Sequence, residues 1–328
     1  MSSQSAANSS TSHAFVWDDD IRRHLDGAAA RMHNGNGDKA HLAQIAKENY
    51  RLVKNKTYQD VTGTAHPLVL HRQAVNTTYV PPKTATRSEV SYAETRVCIG
   101  CADTATALRV LQLLGYSKVA GLNFANQHHP GGGYLNGARA QEEDLCRLAP
   151  TLYSSLKRLR YPMKDREAHF TEAIIARTYG TYQLDEPSDL TGPVKGYIIS
   201  AAMPNVLSRS CPLIAGTDEW KQSVYVRVRA VLHAAKQEQV DALVLGAFGC
   251  GAFGNPPDLV APIMVEALQS PEFRGCFRCV VFAILVNKSG EDANIRAFNG
   301  ACRRLCTANA AEGSTAHVDE HTSMMEVE

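Results

Sequence analysis

Three successive glycines, Gly131, Gly132 and Gly133, stand ten residues ahead of two adjacent carboxylates, Glu142 and Glu143. Glycine loses more backbone freedom on folding than any other residue, so a run of three belongs where main chain must lie against something with no Cβ between. The carboxylates open a stretch of helical pattern, where acids are common because they complement the helix dipole. That ordinary reason would account for Glu142, Glu143 and Asp144 taken alone. An anion cradle just upstream shifts the weighting. Carboxylates beside a bound phosphate are unfavourable unless they do chemistry, and the chemistry that suits them is general acid catalysis and charge stabilisation at a glycosidic bond. Neighbouring helical residues point about 100° apart, so the two acids cannot share one job. One faces the scissile bond; the other holds a sugar hydroxyl or turns away.

A second glycine loop reads Leu245-Gly246-Ala247-Phe248-Gly249-Cys250-Gly251-Ala252-Phe253-Gly254-Asn255-Pro256. Gly249 to Gly254 formally fits the dinucleotide fingerprint G-x-G-x-x-G. Three features argue against that reading. The loop comes late in the chain, Asn255-Pro256-Pro257 delays the helix until after the glycines, and no acidic residue ends a second strand about 20 positions on. No Lys-Ser or Lys-Thr follows either glycine run, which excludes a P-loop. What remains is a nest of backbone N–H groups before a helix N-terminus, suited to an anion. Phe248 and Phe253 flank it, either to stack on a base or ribose or simply to close the edge of the core.

These loops need a frame. β-branched runs at Val97–Ile99, Lys118–Phe124, Ala173–Ala176, Gly196–Ala201, Ala242–Gly246 and Cys279–Val286 alternate with helical patterns at Asp103–Leu114, Gln141–Leu159, Asp218–Lys236, Asp258–Leu268 and Asn294–Cys306. Such alternation predicts an α/β layer fold around a mostly buried sheet. Asp103 and Thr217 are suited to cap the helices that follow them. Ligands of these sheets sit at the carboxyl ends of strands; both glycine loops fall there and can face one crevice. Residues 1–20 and 309–328 are polar and predicted disordered. Residues 21–95 form a helical lead-in and connector packed on the main domain, with Leu42, Ile45, Ala46, Tyr50 and Val53 at helical spacing. Residues 96–308 are the main domain.

The chain has 328 residues, is 44% hydrophobic and carries a net charge of +1. That is enough for a real core, and it gives no broad basic surface for duplex nucleic acid. The longest apolar run, Cys279 to Val286, is far short of the roughly 20 residues a membrane span needs. The first residues lack the apolar segment of a secretory signal. Nine cysteines, an odd number, predict reduced thiols and a cytosolic or nuclear setting rather than a disulfide framework. Cys98/Cys101 and Cys276/Cys279 are spaced C-x-x-C, but no nearby histidine completes either pair, so no metal is expected. No cofactor is expected, and a monomer is.

Taken together, the motifs LNFANQHHPGGGYLNGARAQEEDLCR, SAAMPN and LGAFGCGAFGNPP resemble those of the poly(ADP-ribose) glycohydrolases, in particular the compact microbial-type branch. The helical segment HLAQIAKENYRLVKN resembles the N-terminal extension of that branch. The resemblance spans roughly residues 38–305. It implies a three-layer α/β/α macrodomain with a mixed central sheet and an N-terminal helical extension. It implies metal-independent cleavage of the O-glycosidic ribose–ribose bond of poly(ADP-ribose), with ADP-ribose, its polymer and ADP-ribosylated proteins as partners, in reversal of ADP-ribosylation and the response to DNA damage. Glu143 would be the catalytic acid, and Glu142 would hold the ribose at the bond being cut. Gln141 would help position the substrate. Gly131, Gly132 and Gly133 would approach the pyrophosphate and distal ribose, which Asn126 would contact. Gly249, Cys250, Gly251, Ala252 and Phe253 would form the second phosphate loop, next to Phe248. Asn205 would belong to the pocket wall. Departures lie at Gln127-His128-His129 and in residues 171–195, both placed to border the leaving-group side. They leave open a mono-ADP-ribosyl hydrolase acting on modified side chains. A reader that binds ADP-ribose without cutting it would need the glycine loops but not the carboxylate pair.

Overall fold

The computed structural model describes residues 13–29, 37–60, 62–71, 74–82, 92–184, 193–286 and 292–315. In chain order, β1 (Ala14–Trp17) and α1 (Asp19–Ala29) precede α2 (Lys39–Asn55), a hairpin of β2 (Thr57–Gln59) and β3 (Ala65–Pro67), and β4 (Val75–Thr78). Then come β5 (Glu94–Gly100), α3 (Thr104–Leu113), β6 (Val119–Phe124), a 3-10 turn at Tyr134–Asn136, α4 (Gln141–Leu148) and α5 (Leu152–Leu156). The remainder is β7 (Glu167–Ile175), β8 (Val194–Ala201), α6 (Asp218–Gln237), β9 (Ala242–Leu245), α7 (Pro257–Gln269), β10 (Cys279–Ala283) and α8 (Ala293–Thr315).

Eight strands form one mixed sheet in the order β1-β5-β10-β9-β6-β8-β7-β4. Pairings from β1 through β8 are parallel, and β7 and β4 close the far edge antiparallel. The central strands are buried on both faces, as parallel strands between helices must be. Their side chains alternate between two cores: Val97, Leu122 and Leu243 join Trp220, Val260 and Phe298 of α6, α7 and α8, whereas Cys98, Val119 and Val244 join Leu25, Leu108 and Leu145 of α1, α3 and α4. The architecture is thus the expected three-layer α/β/α with a mixed sheet. Asp103 and Thr217 cap α3 and α6 with their side chains, also as expected.

Four expectations need correction. Residues 14–20, read as disordered, supply edge strand β1, paired in parallel to β5, and the start of α1. A strand of four residues has no periodicity of its own to read; the sheet edge orders it. Residues 1–12 and 316–328 of the two expected tails lie outside the described residues, and α8 runs to Thr315. β7 is nine residues long rather than four, because its polar Glu167, His169, Thr171 and Glu172 are all buried and broke the apolar pattern. The helix expected over 141–159 is two helices. Pro150 has no N–H to donate and forces its predecessor out of helical geometry, and Ala149 sits at φ −113°, ψ 88°.

Candidate active site

Four loops leave the carboxyl ends of β5, β6, β9 and β10 and enclose a cleft of 540 Å³. Its walls include Asp103 and Thr104, the start of α4 at Ala140 and Gln141, the second glycine loop with Gly249, Gly251 and Ala252, and the end of β10 at Ile284. The second glycine loop lines this crevice at a strand end. The run Gly131–Gly133 does not, contrary to expectation, and Asn126, Glu142 and Glu143 also lie outside its lining, with the two carboxyls turned toward Gly131 and Gly133.

Glu142 and Glu143 sit in the first turn of α4 and are 3% and 8% exposed. Glu142 is tied down by three donors. Its Oε1 accepts from Asn123 Nδ2 (3.2 Å) and the Gly131 N–H (3.2 Å), and its Oε2 accepts from the Asn126 N–H (2.8 Å). Burial disfavours its charge more than those donors favour it, and the neighbouring Glu143 adds repulsion, so its carboxyl is pushed up to about 7. Glu143 is held differently. Its Oε1 accepts from the Gly133 N–H at 2.8 Å. Its Oε2 has no hydrogen-bond partner among the described residues. The sequence argument that the two acids differ in role thus has a geometric basis.

The glycine run serves a purpose other than the expected one. The N–H groups of Gly131 and Gly133 go to the carboxylates, and that of Gly132 goes to the His129 carbonyl at 3.0 Å. No donor of the run is left for a ligand phosphate: the anions it cradles are the chain's own Glu142 and Glu143. Gly132 lies at φ +53°, and a Cβ there would stand 2.4 Å from Oε1 of Glu143. The ligand nest is the second loop. The N–H groups of Gly249, Gly251, Ala252 and Phe253 have no acceptor among the described residues. Opposite them, α4 begins at Ala140, which offers no side-chain cap, so its first N–H groups also remain open toward the cleft.

Other expected site residues divide. Phe253 lines the cleft while half-packed on the core. Phe248 is buried, packs 5.5 Å from Phe124 and belongs to the core behind the cleft wall, which fits the reading that it closes the edge of the core. Gln141 lines the cleft, but its amide is fully engaged: Oε1 accepts from the Phe124 N–H (2.8 Å), and Nε2 donates to Thr104 Oγ1 (2.9 Å) and the Leu122 carbonyl (2.8 Å). It pins α4 to β6 and α3. Asn126 turns its Oδ1 to the N–H groups of His128 and His129, and so caps its own loop. Two corrections follow. Cys250 does not line the cleft; its thiol donates to the Phe248 carbonyl at 3.6 Å, and burial pushes it up to about 12. Asn205 does not line the cleft either, because its segment lies behind the second loop, where Val206 N–H donates to the Phe253 carbonyl at 3.0 Å.

Two residues that hold the site were missed. Asn123, fully buried in β6, steadies Glu142 and donates also to Ser200 Oγ at 3.0 Å. An asparagine inside the run Val119–Phe124 was its signal. Asn49 of α2 is buried where the helix pattern placed Tyr50, which is 68% exposed. Its Nδ2 donates to Tyr134 Oη (3.0 Å) and to the Cys146 and Arg147 carbonyls (3.2 and 2.9 Å), while its Oδ1 accepts from Arg177 Nε (2.8 Å). Because α4 stops at Pro150, its last carbonyls need outside donors. Asn49 supplies two of them, and the N–H groups of Ala176 and Arg177 satisfy Leu148. Asn49 fell on the apolar stripe Leu42-Ile45-Ala46, and a polar residue on such a stripe is its own signal.

All nine cysteines are free thiols. Among the described residues no group of three potential metal ligands occurs, and no helix is long and apolar enough to cross a membrane. The family profile for the microbial-type PARG catalytic domain matches residues 46–177, a span that begins in α2 and holds the whole first glycine segment. The poly(ADP-ribose) glycohydrolase from Thermomonospora curvata bound to the inhibitor ADP-HPD is 31% identical, with a TM-score of 0.65 over 79% of this chain and 98% of that one. The enzyme from Deinococcus radiodurans in complex with ADP-ribose is 33% identical, with a TM-score of 0.56 over 66% of this chain and 87% of that one. No curated protein sequence matches the chain.

Proposed function

The chain belongs to the poly(ADP-ribose) glycohydrolase family, and from that membership we infer that its cleft holds one terminal ADP-ribosyl unit and that its carboxylate pair cuts the ribose–ribose bond beyond it. It is a glycosidase of α/β/α fold acting on poly(ADP-ribose). In this reading the diphosphate lies between the open N–H groups of the second glycine loop and the start of α4. Arg139, on the rim, adds a positive charge.

Glu143 is assigned as the acid. The observation that carries this is the asymmetry of the pair: Glu142 is fixed by three donors, whereas Glu143 is fixed through one oxygen and keeps the other open. Glu143, protonated on Oε2, gives its proton to the departing ribose oxygen as the C1″–O bond breaks. The sugar left behind carries oxocarbenium charge. Water then adds to C1″, and the Glu143 carboxylate takes the proton that water sheds, which restores the starting state. Glu142 has one lone pair of Oε2 free for a ribose hydroxyl. Its raised pKa leaves it partly protonated beside a ligand diphosphate, which lessens the repulsion that two full carboxylates would impose.

The test is release of free ADP-ribose from an automodified protein. Glu143→Gln is expected to lower the rate about 10²–10⁴-fold while still binding ADP-ribose. Undiminished release would remove Glu143 from the role. Mono- and poly-modified substrates run in parallel decide whether the polymer is the preferred substrate. We place the activity in reversal of ADP-ribosylation, including after DNA damage.

A further inference from the structure

We propose that the exposed basic segment from Lys157 to Arg166 is a docking strip for the part of the poly(ADP-ribose) chain that continues beyond the cut bond. This rests on assigning the cleft to the terminal unit. Lys157, Arg158, Arg160, Lys164 and Arg166 are all exposed, and Asp165 is the only acid among them. Arg160 is committed to buried Glu167 at 2.6 Å, and Asp165 is held by Arg227 at 2.5 Å. Lys157, Arg158, Lys164 and Arg166 have no ion-pair partner among the described residues. Four uncompensated cations in ten residues are a local feature in a chain whose net charge is only +1.

Position gives the segment its meaning. The cleft touches α4 at Ala140, Gln141 and Asp144, whereas the Glu142 and Glu143 carboxyls turn the other way, toward Gly131 and Gly133. A polymer with its last unit in the cleft and its bond at Glu143 therefore leaves across the glycine run. Beyond that run the basic segment is the next surface. Met163 N–H donates to the Gln127 carbonyl at 2.8 Å, which joins the strip to the loop bearing exposed His128 and His129. Lys157 Nζ sits 5.7 Å from the Tyr153 ring, and that ring is what a Cβ on Gly131 would strike, at 2.7 Å. Each further unit of the polymer carries a diphosphate, so the four cations match the charge of about two units, paired through phosphates with release of counterions. The common alternative, a solvated face, gives no reason for the acids to be missing here.

The experiment uses the full chain carrying Glu143→Gln, so that binding is read without turnover. Into it go Lys157→Gln, Arg158→Gln, Lys164→Gln and Arg166→Gln together, and separately the first two alone. Long purified poly(ADP-ribose) and free ADP-ribose are titrated across a range of salt. Expected for the fourfold variant is at least a tenfold loss of long-chain affinity at low salt. The slope of log affinity against log salt should fall by about 3, and free ADP-ribose should bind as before. The twofold variant should show about half that change in slope. Unchanged long-chain affinity and slope would overturn the proposal. So would an equal loss for free ADP-ribose, which would place these cations in the cleft. A wild-type chain that binds the polymer through the strip yet releases no ADP-ribose would instead defeat the catalytic assignment and leave the strip standing.

Discussion

Gly132→Ala separates two accounts of the glycine run. At Gly132 φ is +53°, and a Cβ would lie 2.4 Å from Oε1 of Glu143 and 3.3 Å from Oε2 of Glu142. Ordinary contact begins at 3.4 Å, so the Glu143 carboxyl must retreat by about 1 Å and loosen its 2.8 Å bond from the Gly133 N–H. A displacement of that size at a reacting group costs about 10²-fold in rate. The left-handed backbone adds about 1–2 kcal/mol of destabilisation, less than the total stability of an ordinary domain. Initial rates of ADP-ribose release should therefore fall about a hundredfold. Calorimetric affinity for ADP-ribose should be little changed, and thermal unfolding should move down by a few degrees. Gly251→Ala is the counterpart. A Cβ there meets nothing within 4 Å, yet the residue lines the cleft, so stability should hold while ADP-ribose affinity drops. If Gly132→Ala keeps the wild-type rate, the carboxylate is not placed by this backbone. If it loses affinity instead of rate, the glycine run holds the ligand diphosphate after all.

Glu142 makes stability depend on pH in a stated direction. Its folded pKa, about 7, lies above the ordinary value of 4.5, so the folded state holds the proton more tightly; this contribution is full below pH 4.5 and is lost as pH rises through 7. The span amounts to about 3 kcal/mol, and Glu142→Gln should remove it, read as a flatter pH dependence of urea unfolding. An unchanged pH dependence would contradict a buried Glu142 with a raised pKa. Asn49→Ala should cost about 2–4 kcal/mol, since it strips donors from buried carbonyls of α4 and an acceptor from Arg177. It should also lower kcat more than ADP-ribose affinity, because α4 carries the acids; a loss confined to stability would limit Asn49 to the fold.

The site was legible where residue type and spacing alone carry the physics. Gly131–Gly133 and Glu142-Glu143 stand out because glycine runs and paired acids are costly without a use. The second loop was legible because Asn255-Pro256 moves the helix start past the glycines. Less legible were contacts that join distant parts of the chain. Asn49 lies 97 and 98 residues from the carbonyls it satisfies. β7 hid behind buried polar residues: Glu167 accepts from Arg160 and the Lys164 N–H, and His169 is paired with Ser200 across the sheet. No local periodicity reports that such partners exist.

By itself the sequence determined the alternation of strands and helices, the caps at Asp103 and Thr217 and the company of glycines and acids in one segment. Each follows from forces that act within a few residues: backbone sterics, side-chain caps and the period of apolar positions. Only the tertiary structure decided which anion each glycine loop serves. Folding turned the first run onto Glu142 and Glu143, where its N–H groups are used up, and left the second loop's N–H groups open on the cleft. A backbone donor takes whichever acceptor the packed fold brings within 3 Å or so, and that choice is made by the way α4 docks on β6 and α2, through Gln141 and Asn49.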